Sequence, residues 1–132
     1  MSEISQSQKE QASGWFLSLR DEIVNAFELL EDKHIEGPYS DQPKGIFEIT
    51  PTKRNSESGD GAGGGVMSIL RGGRVFEKVG VNVSTVFGVL GHEAQSAMAT
   101  RKGIPGMNED PRFWASGISL VAHMQNPHCP AV

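Results

Sequence analysis

The run VMSILRGGRVFEKVGVNVSTVFG, residues 66–88, constrains the fold more than any other part of this sequence. Two stretches rich in β-branched residues flank Gly72-Gly73, which is the pattern of two strands joined by a hairpin. The glycine pair supplies the positive φ that a tight turn requires. A third strand of similar character is predicted over residues 113–124, FWASGISLVAHM. The sequence therefore predicts an antiparallel sheet.

The second strand of the hairpin has two different faces, because successive side chains of a strand point to opposite sides. The largely apolar face consists of Val75, Glu77, Val79, Val81, Val83, Thr85 and Phe87. The other face consists of Phe76, Lys78, Gly80, Asn82, Ser84 and Val86. We expect this second face to meet water or a ligand. Glu77 is the acid of greatest interest, and a paired carboxylate is favoured over a general base whose pKa is raised by burial.

Helices and a weaker strand are predicted around these strands. Residues 4–32 carry apolar side chains at spacings of three and four, which is typical of an amphipathic helix that packs on a core. This stripe consists of Phe16, Leu19, Ile23, Phe27 and Leu30. Residues 46–52 favour a strand, and residues 91–101 suit a short helix. The Ser- and Gly-rich residues 53–65 predict a loop, and residues 103–111 predict turns.

Composition excludes several classes of protein. The 132 residues are enough for one domain, and 37% hydrophobic with 21% charged residues indicates a soluble globular chain. The net charge of −4 argues against nucleic-acid binding, which needs a basic patch. The single Cys129 excludes an internal disulfide and favours a reducing compartment. The polar N-terminus predicts no signal peptide, and no apolar run approaches the roughly 20 residues of a membrane span.

The glycines Gly59, Gly61 and Gly64 match the G-x-G-x-x-G spacing of dinucleotide-binding proteins. That motif works only between a strand and a helix, because the helix N-terminus holds the pyrophosphate. Here the polar residues 51–58 precede the glycines and a predicted strand follows them. We therefore interpret the segment as a flexible loop that leads into a strand, and we predict no nucleotide site.

Histidines are the obvious candidates for chemistry, and the four are His34, His92, His123 and His128. His123 and His128 are five residues apart and Cys129 is adjacent. A zinc site usually needs three or four clustered ligands, so no complete site is visible. A nucleophilic triad is also unsupported, because no G-x-S-x-G elbow occurs.

Ser119 and His123 are predicted on one face of the strand at residues 113–124. Four residues at about 3.3 Å each separate them by about 13 Å, which is too far for a direct contact between the two side chains. Gly117 leaves room on the same face. The arrangement suits the two ends of one large, flat ligand.

Residues 63–88 and 115–132 resemble the oxygen-dependent coproporphyrinogen-III oxidase family. The shared features are a triple glycine, a V-F-E-x-x-G-V-N-x-S run and a G-x-S-L-V-x-H-x-x-N-P-x-x-P run, in that order. The resemblance extends over roughly residues 14–132. It implies an α+β fold with a large, flat antiparallel sheet flanked by helices, in a cytoplasmic homodimer.

The resemblance also implies an activity in haem biosynthesis. The family oxidatively decarboxylates two propionates of coproporphyrinogen III to vinyl groups, giving protoporphyrinogen IX with O₂ as the oxidant. By motif position, Ser119 resembles a substrate-contacting serine. His123 resembles the first histidine of a divalent-metal site proposed for bacterial members, where the need for the metal is disputed. No organic cofactor is implied.

Members of that family are more than twice as long as this chain. Their remaining substrate-binding and catalytic residues would lie beyond Val132. We therefore expect residues 1–132 to be the N-terminal portion of one oxidase domain, inactive without the remainder. The alternative is a non-catalytic module that binds a tetrapyrrole.

Overall fold

One antiparallel sheet with two helices forms the described part of this protein. The computed structural model describes residues 4–55, 61–101, 103–107 and 109–132. The elements are α1 (Gln6–Lys33), β1 (Glu48–Arg54), β2 (Ala62–Arg71), β3 (Phe76–Val89), α2 (His92–Arg101) and β4 (Arg112–Met124). The strands pair in the order β1-β2-β3-β4, which confirms the predicted α+β class. Neither helix is long and apolar enough to cross a membrane.

Local sequence signals mark both ends of helix α1. Ser5 and Gln8 form a capping box, in which each side chain accepts a hydrogen bond from the backbone N–H of the other residue. The helix ends at Lys33, and Gly37 then takes a φ of 93° in the following turn. The prediction of a helix over residues 4–32 is confirmed to within two residues at each end.

The core lies between α1 and one side of the sheet, which we call the inner face. Its central row is formed by Leu70, Val79 and Ala122, which are Cα partners across β2, β3 and β4 and are at most 1% exposed. Val24 and Phe27 of α1 pack on this face. Burial of these apolar side chains away from water holds the helix against the sheet.

The predicted apolar stripe of α1 is wrong at its C-terminal end. Leu30 is 47% exposed, whereas the neighbouring Glu31 is fully buried. The helix meets the sheet along Val24, Phe27 and Glu31, which are separated by three and four residues and therefore share one face. A charged residue occupies the position that the hydrophobic pattern assigns to Leu30.

The hairpin between β2 and β3 is confirmed, with two corrections. Gly72 has a φ of 60°, but Gly73 does not adopt positive φ. A β-bulge between Phe76 and Lys78 shifts the register against β4. Phe76, predicted on the polar face, is therefore buried in the core, with its ring centroid 4.9 Å from that of Phe27. Glu77 is exposed and pairs with no charged group that the structure describes, so its predicted pairing is wrong.

Within the predicted loop over residues 53–65, most of the residues that the structure describes lie in strands, so the prediction is wrong there. β1 continues to Arg54 and β2 starts at Ala62, while residues 56–60, with Gly59, lie outside the described residues. The glycines are needed in β2 because neighbouring backbone comes close: a Cβ at Gly65 would overlap the carbonyl oxygen of Val83. As the sequence predicted, a strand and not a helix follows Gly61.

The last two elements agree with the sequence predictions. α2 and β4 lie within one residue of the predicted bounds. After β4 the chain turns back along the outer edge of that strand. There Val132 donates a backbone hydrogen bond of 3.0 Å to Ala122 and accepts one of 2.6 Å from it.

Candidate functional site

The side of the sheet that points away from α1 is the candidate site, and we call it the open face. It alternates along each strand with the inner face. Its members on β2 to β4 include Met67, Arg71, Lys78, Gly80, Asn82, Ser84, Gly117, Ser119, Val121 and His123. Most of these side chains are exposed. The prediction that the polar side of β3 is accessible is therefore confirmed.

Ser119 and His123 both lie on the open face and both are exposed. Ser119 is the Cα partner of Asn82, and His123 is the Cα partner of Lys78. The predicted placement of the two residues on one face is thus confirmed. Their roles in contacting a substrate and a metal stay predictions.

The middle of the open face is shallow and partly apolar. Gly80 and Gly117 place no side chain there, and a Cβ built at Gly117 would meet nothing within 4 Å. Val121, between Ser119 and His123 along β4, is 52% exposed. A surface with small residues, an exposed valine and polar groups at its margins favours a flat ligand that has an apolar body.

The side chain of Asn82 has a hydrogen-bond acceptor without a donor in the described part of the chain. Its Oδ1 is buried and has no hydrogen-bond partner among the described residues. A buried acceptor without a partner costs roughly 1–3 kcal/mol. The terminal torsion of an asparagine is soft, so the amide can turn toward a ligand. A hydrogen-bond donor on a ligand over Asn82 would remove this cost.

Among the residues that the structure describes, Glu31 is the most completely buried carboxylate, and its role is structural. One oxygen, Oε2, accepts hydrogen bonds from the backbone N–H groups of Gly45 at 2.9 Å and Arg74 at 2.6 Å. The other oxygen, Oε1, accepts from Val75 and Phe76, both at 2.9 Å. Glu31 thereby joins the end of α1 to the segment before β1 and to the hairpin turn.

The surroundings of Glu31 keep its carboxylate ionised. Burial raises the pKa of Glu31, but the four backbone N–H donors together outweigh burial and hold the pKa below its ordinary value. The adjacent Gly73 is required as well, because a Cβ there would overlap the carboxylate. Sequence reasoning missed Glu31, although its spacing from Val24 and Phe27 was a signal: it is an acid on the apolar stripe.

A separate cleft is lined by two of the four histidines that the sequence offered as candidates for chemistry. Its volume is about 540 Å³, and His34 and His128 line it together with Tyr39, Arg74 and Cys129. His34 Nε2 lies 2.7 Å from the carbonyl oxygen of Pro38, which occupies that ring nitrogen. His123 does not line this cleft.

The described residues do not by themselves supply a metal site, and His123 as a metal ligand stays a prediction. No group of three or more His, Cys, Asp and Glu side chains able to hold an ion occurs in the described ranges. The Cα partner of His123 across the sheet is Lys78, a cation that would repel a metal ion. An anionic group near His123 would be attracted by Lys78.

Comparison with known proteins agrees with the fold and the motifs. Residues 11–132 match the coproporphyrinogen III oxidase family. The chain is 43% identical over 131 residues to the oxygen-dependent coproporphyrinogen-III oxidase of Rickettsia bellii (strain RML369-C), covering 98% of this chain and 41% of that protein. Identity to the Rickettsia peacockii (strain Rustic) enzyme of the same name is 45% over 126 residues, covering 94% of this chain and 39% of that protein.

The chain spans about two-fifths of the length of the curated relatives that it matches. Within this chain, the family match includes α1 from residue 11 onward, the whole sheet and both candidate residues, Ser119 and His123. This chain therefore belongs to the coproporphyrinogen III oxidase family.

Proposed function

We propose that this chain provides a substrate-binding sheet for an oxygen-dependent coproporphyrinogen-III oxidase. In that reaction two propionates of coproporphyrinogen III become vinyl groups, giving protoporphyrinogen IX, and each decarboxylation releases one CO₂ and reduces one O₂ to peroxide. The observation that carries the proposal is the common orientation of Ser119 and His123, exposed on one shallow face of the sheet. The names of the relatives support the substrate class.

The open face would bind the tetrapyrrole by complementary shape and polarity. The macrocycle would rest over Gly80, Gly117 and Val121, where the surface is shallow. Ser119 would donate a hydrogen bond to the ligand, and Asn82 would accept one from a pyrrole N–H. A substrate held at several points reacts in a fixed orientation, which lowers the entropic part of the barrier.

We propose further that this part of the protein binds substrate without completing the reaction. Proton removal from a pyrrole calls for a base close to the ring. The buried carboxylate Glu31 cannot serve, because four backbone N–H groups already use its oxygens on the inner side of the sheet. The resemblance implies that the family's catalytic acids lie beyond Val132, so we assign the base to residues outside this chain.

Binding of coproporphyrin III, the stable oxidised form of the substrate, tests the proposal. The purified chain is titrated with this porphyrin, and the dissociation constant is read from the change in porphyrin absorbance. Ser119→Ala and His123→Ala should each weaken binding about three- to tenfold, the range expected for one lost hydrogen bond. Ser116→Ala is the matched control, because Ser116 lies on β4 but on the inner face, bonded to Thr85 at 2.9 Å.

The result that contradicts the proposal is equally specific. If the folded wild-type chain does not bind the porphyrin, the sheet is not a binding surface. If Ser116→Ala weakens binding as much as Ser119→Ala, the loss does not come from the open face. Thermal unfolding of each variant separates loss of binding from loss of folding.

A further inference from the structure

Three basic residues form a row across one end of the open face. Arg71 of β2 is the Cα partner of Lys78 of β3, and Lys78 is the Cα partner of His123 of β4. Cross-strand partners project on the same side of a sheet, about 4.8 Å from strand to strand. All three residues are exposed. We call them the basic row.

The basic row has no acidic partner within the part of the chain that the structure describes. Arg71 and Lys78 take part in none of the ion pairs found there. Glu48 of β1 lies on the same face as the Cα partner of Ile69, but no ion pair joins it to Arg71. Like charges directly opposite each other destabilise a sheet. The free chain therefore carries a repulsion that an anion would relieve.

We propose that the basic row is a carboxylate-binding site that anchors an acidic side chain of the tetrapyrrole. This inference rests on the proposed function and extends it to Arg71 and Lys78, which no motif assigns. Arginine offers a planar pair of donors that matches a carboxylate, and lysine adds a mobile point charge. An anion here would add two attractions, which offset the repulsion between the two cations.

The position of the basic row fits this role. It lies four residues along the strands from the pair Asn82 and Ser119, a distance of about 13 Å. Gly80 lies between Lys78 and Asn82 along β3 and has no side chain that would raise the surface there. A macrocycle centred near Asn82 and extending over Gly80 would thus have its N–H groups near Asn82 and one peripheral carboxylate near Lys78.

Removal of the two charges tests the inference. Arg71→Met, Lys78→Met and the double variant are titrated with coproporphyrin III, whose carboxylates are ionised at neutral pH. Each single variant should bind about fivefold more weakly, and the double variant at least about tenfold more weakly. Lys53→Met is the matched control, because Lys53 is an exposed strand lysine that pairs with Gly64 on the other face.

Salt gives a second readout that a structural role would not change. Wild-type affinity should fall when NaCl is raised from about 0.05 M to about 0.5 M, because salt screens exposed charges. The double variant should lose most of this dependence, whereas Lys53→Met should keep it.

The outcomes separate this inference from the proposed function. The double variant could keep the affinity and salt dependence of wild type while Ser119→Ala still binds more weakly. That result would overturn the proposed role of the basic row and leave the proposed function intact. Absence of porphyrin binding by the wild-type chain would overturn both. Equal losses of affinity in Lys53→Met and Lys78→Met would show a non-specific charge effect. That result would also overturn the proposed role of the basic row.

Discussion

Replacement of Glu31 by glutamine is the perturbation to which this fold should be most sensitive. The substitution keeps the size of the side chain and turns one carboxylate oxygen into an NH₂ group. In wild type, each oxygen accepts two backbone N–H bonds, at distances of 2.6–2.9 Å. The amide therefore places a donor against two backbone donors, in a residue with no exposed surface.

The magnitude follows from the two bonds that are lost. A hydrogen bond to a charged group contributes about 1.5–3 kcal/mol, so the loss of two predicts a decrease of about 3–6 kcal/mol in the free energy of unfolding. Domains of this kind are stable by about 5–15 kcal/mol. Glu31→Gln should thus remove a large fraction of the total stability and loosen the hairpin from α1.

Urea unfolding followed by circular dichroism measures this loss by linear extrapolation. Glu28→Gln is the matched control, one turn earlier on the same helix. Glu28 accepts one hydrogen bond, from the N–H of Phe47 at 2.9 Å, and the amide oxygen of glutamine can still accept it. We expect the control to lose less than about 1 kcal/mol. Equal unfolding free energies for the two variants would refute the role given to Glu31.

Two further predictions concern acid and the glycines. Because the pKa of Glu31 is lowered in the folded state, its contribution to the free energy of unfolding is complete above its ordinary pKa of about 4.5 and is lost as the pH falls through the lowered value. Acidification from pH ~5 to pH ~3 should therefore reduce the urea midpoint more in wild type than in Glu31→Gln. An equal fall of the midpoint in both proteins would contradict this. Gly65→Ala should cost about 1–3 kcal/mol in urea unfolding, because its Cβ overlaps the carbonyl oxygen of Val83. Gly117→Ala, which meets open space, should leave the midpoint unchanged, and equal midpoints for the two glycine variants would contradict the difference.

Sequence patterns predicted the elements whose signals are local. The hairpin around Gly72 and the strand β4 are marked by β-branched residues and by turn glycines. Other features depend on tertiary contacts. The triple glycine has low strand propensity and indicated a loop, whereas the close approach of the β3 backbone decides that Gly65 lies in a strand. The bulge at Glu77 likewise has no signal in the local pattern.

The candidate site was predicted along one strand but not across strands. The period of two residues is enough to place Ser119 and His123 on one face. Their neighbours Asn82 and Lys78 become known only with the register between β3 and β4, which a sequence without its partner strand does not specify. Motif resemblance identified the first two residues, and strand periodicity placed Asn82 and Lys78 on an accessible face of β3. The register adds that these four residues are cross-strand partners.

The affinity of Gly117→Val for coproporphyrin III is the most direct test of the account. Valine suits a strand, and its Cβ would meet nothing within 4 Å, so the variant should unfold at the wild-type urea midpoint. The added methyl groups would stand in the path of a flat ligand on the open face. Gly117→Val should therefore bind the porphyrin at least about tenfold more weakly. Binding as tight as that of wild type, by a fully folded variant, would contradict the claim that the tetrapyrrole lies on this face.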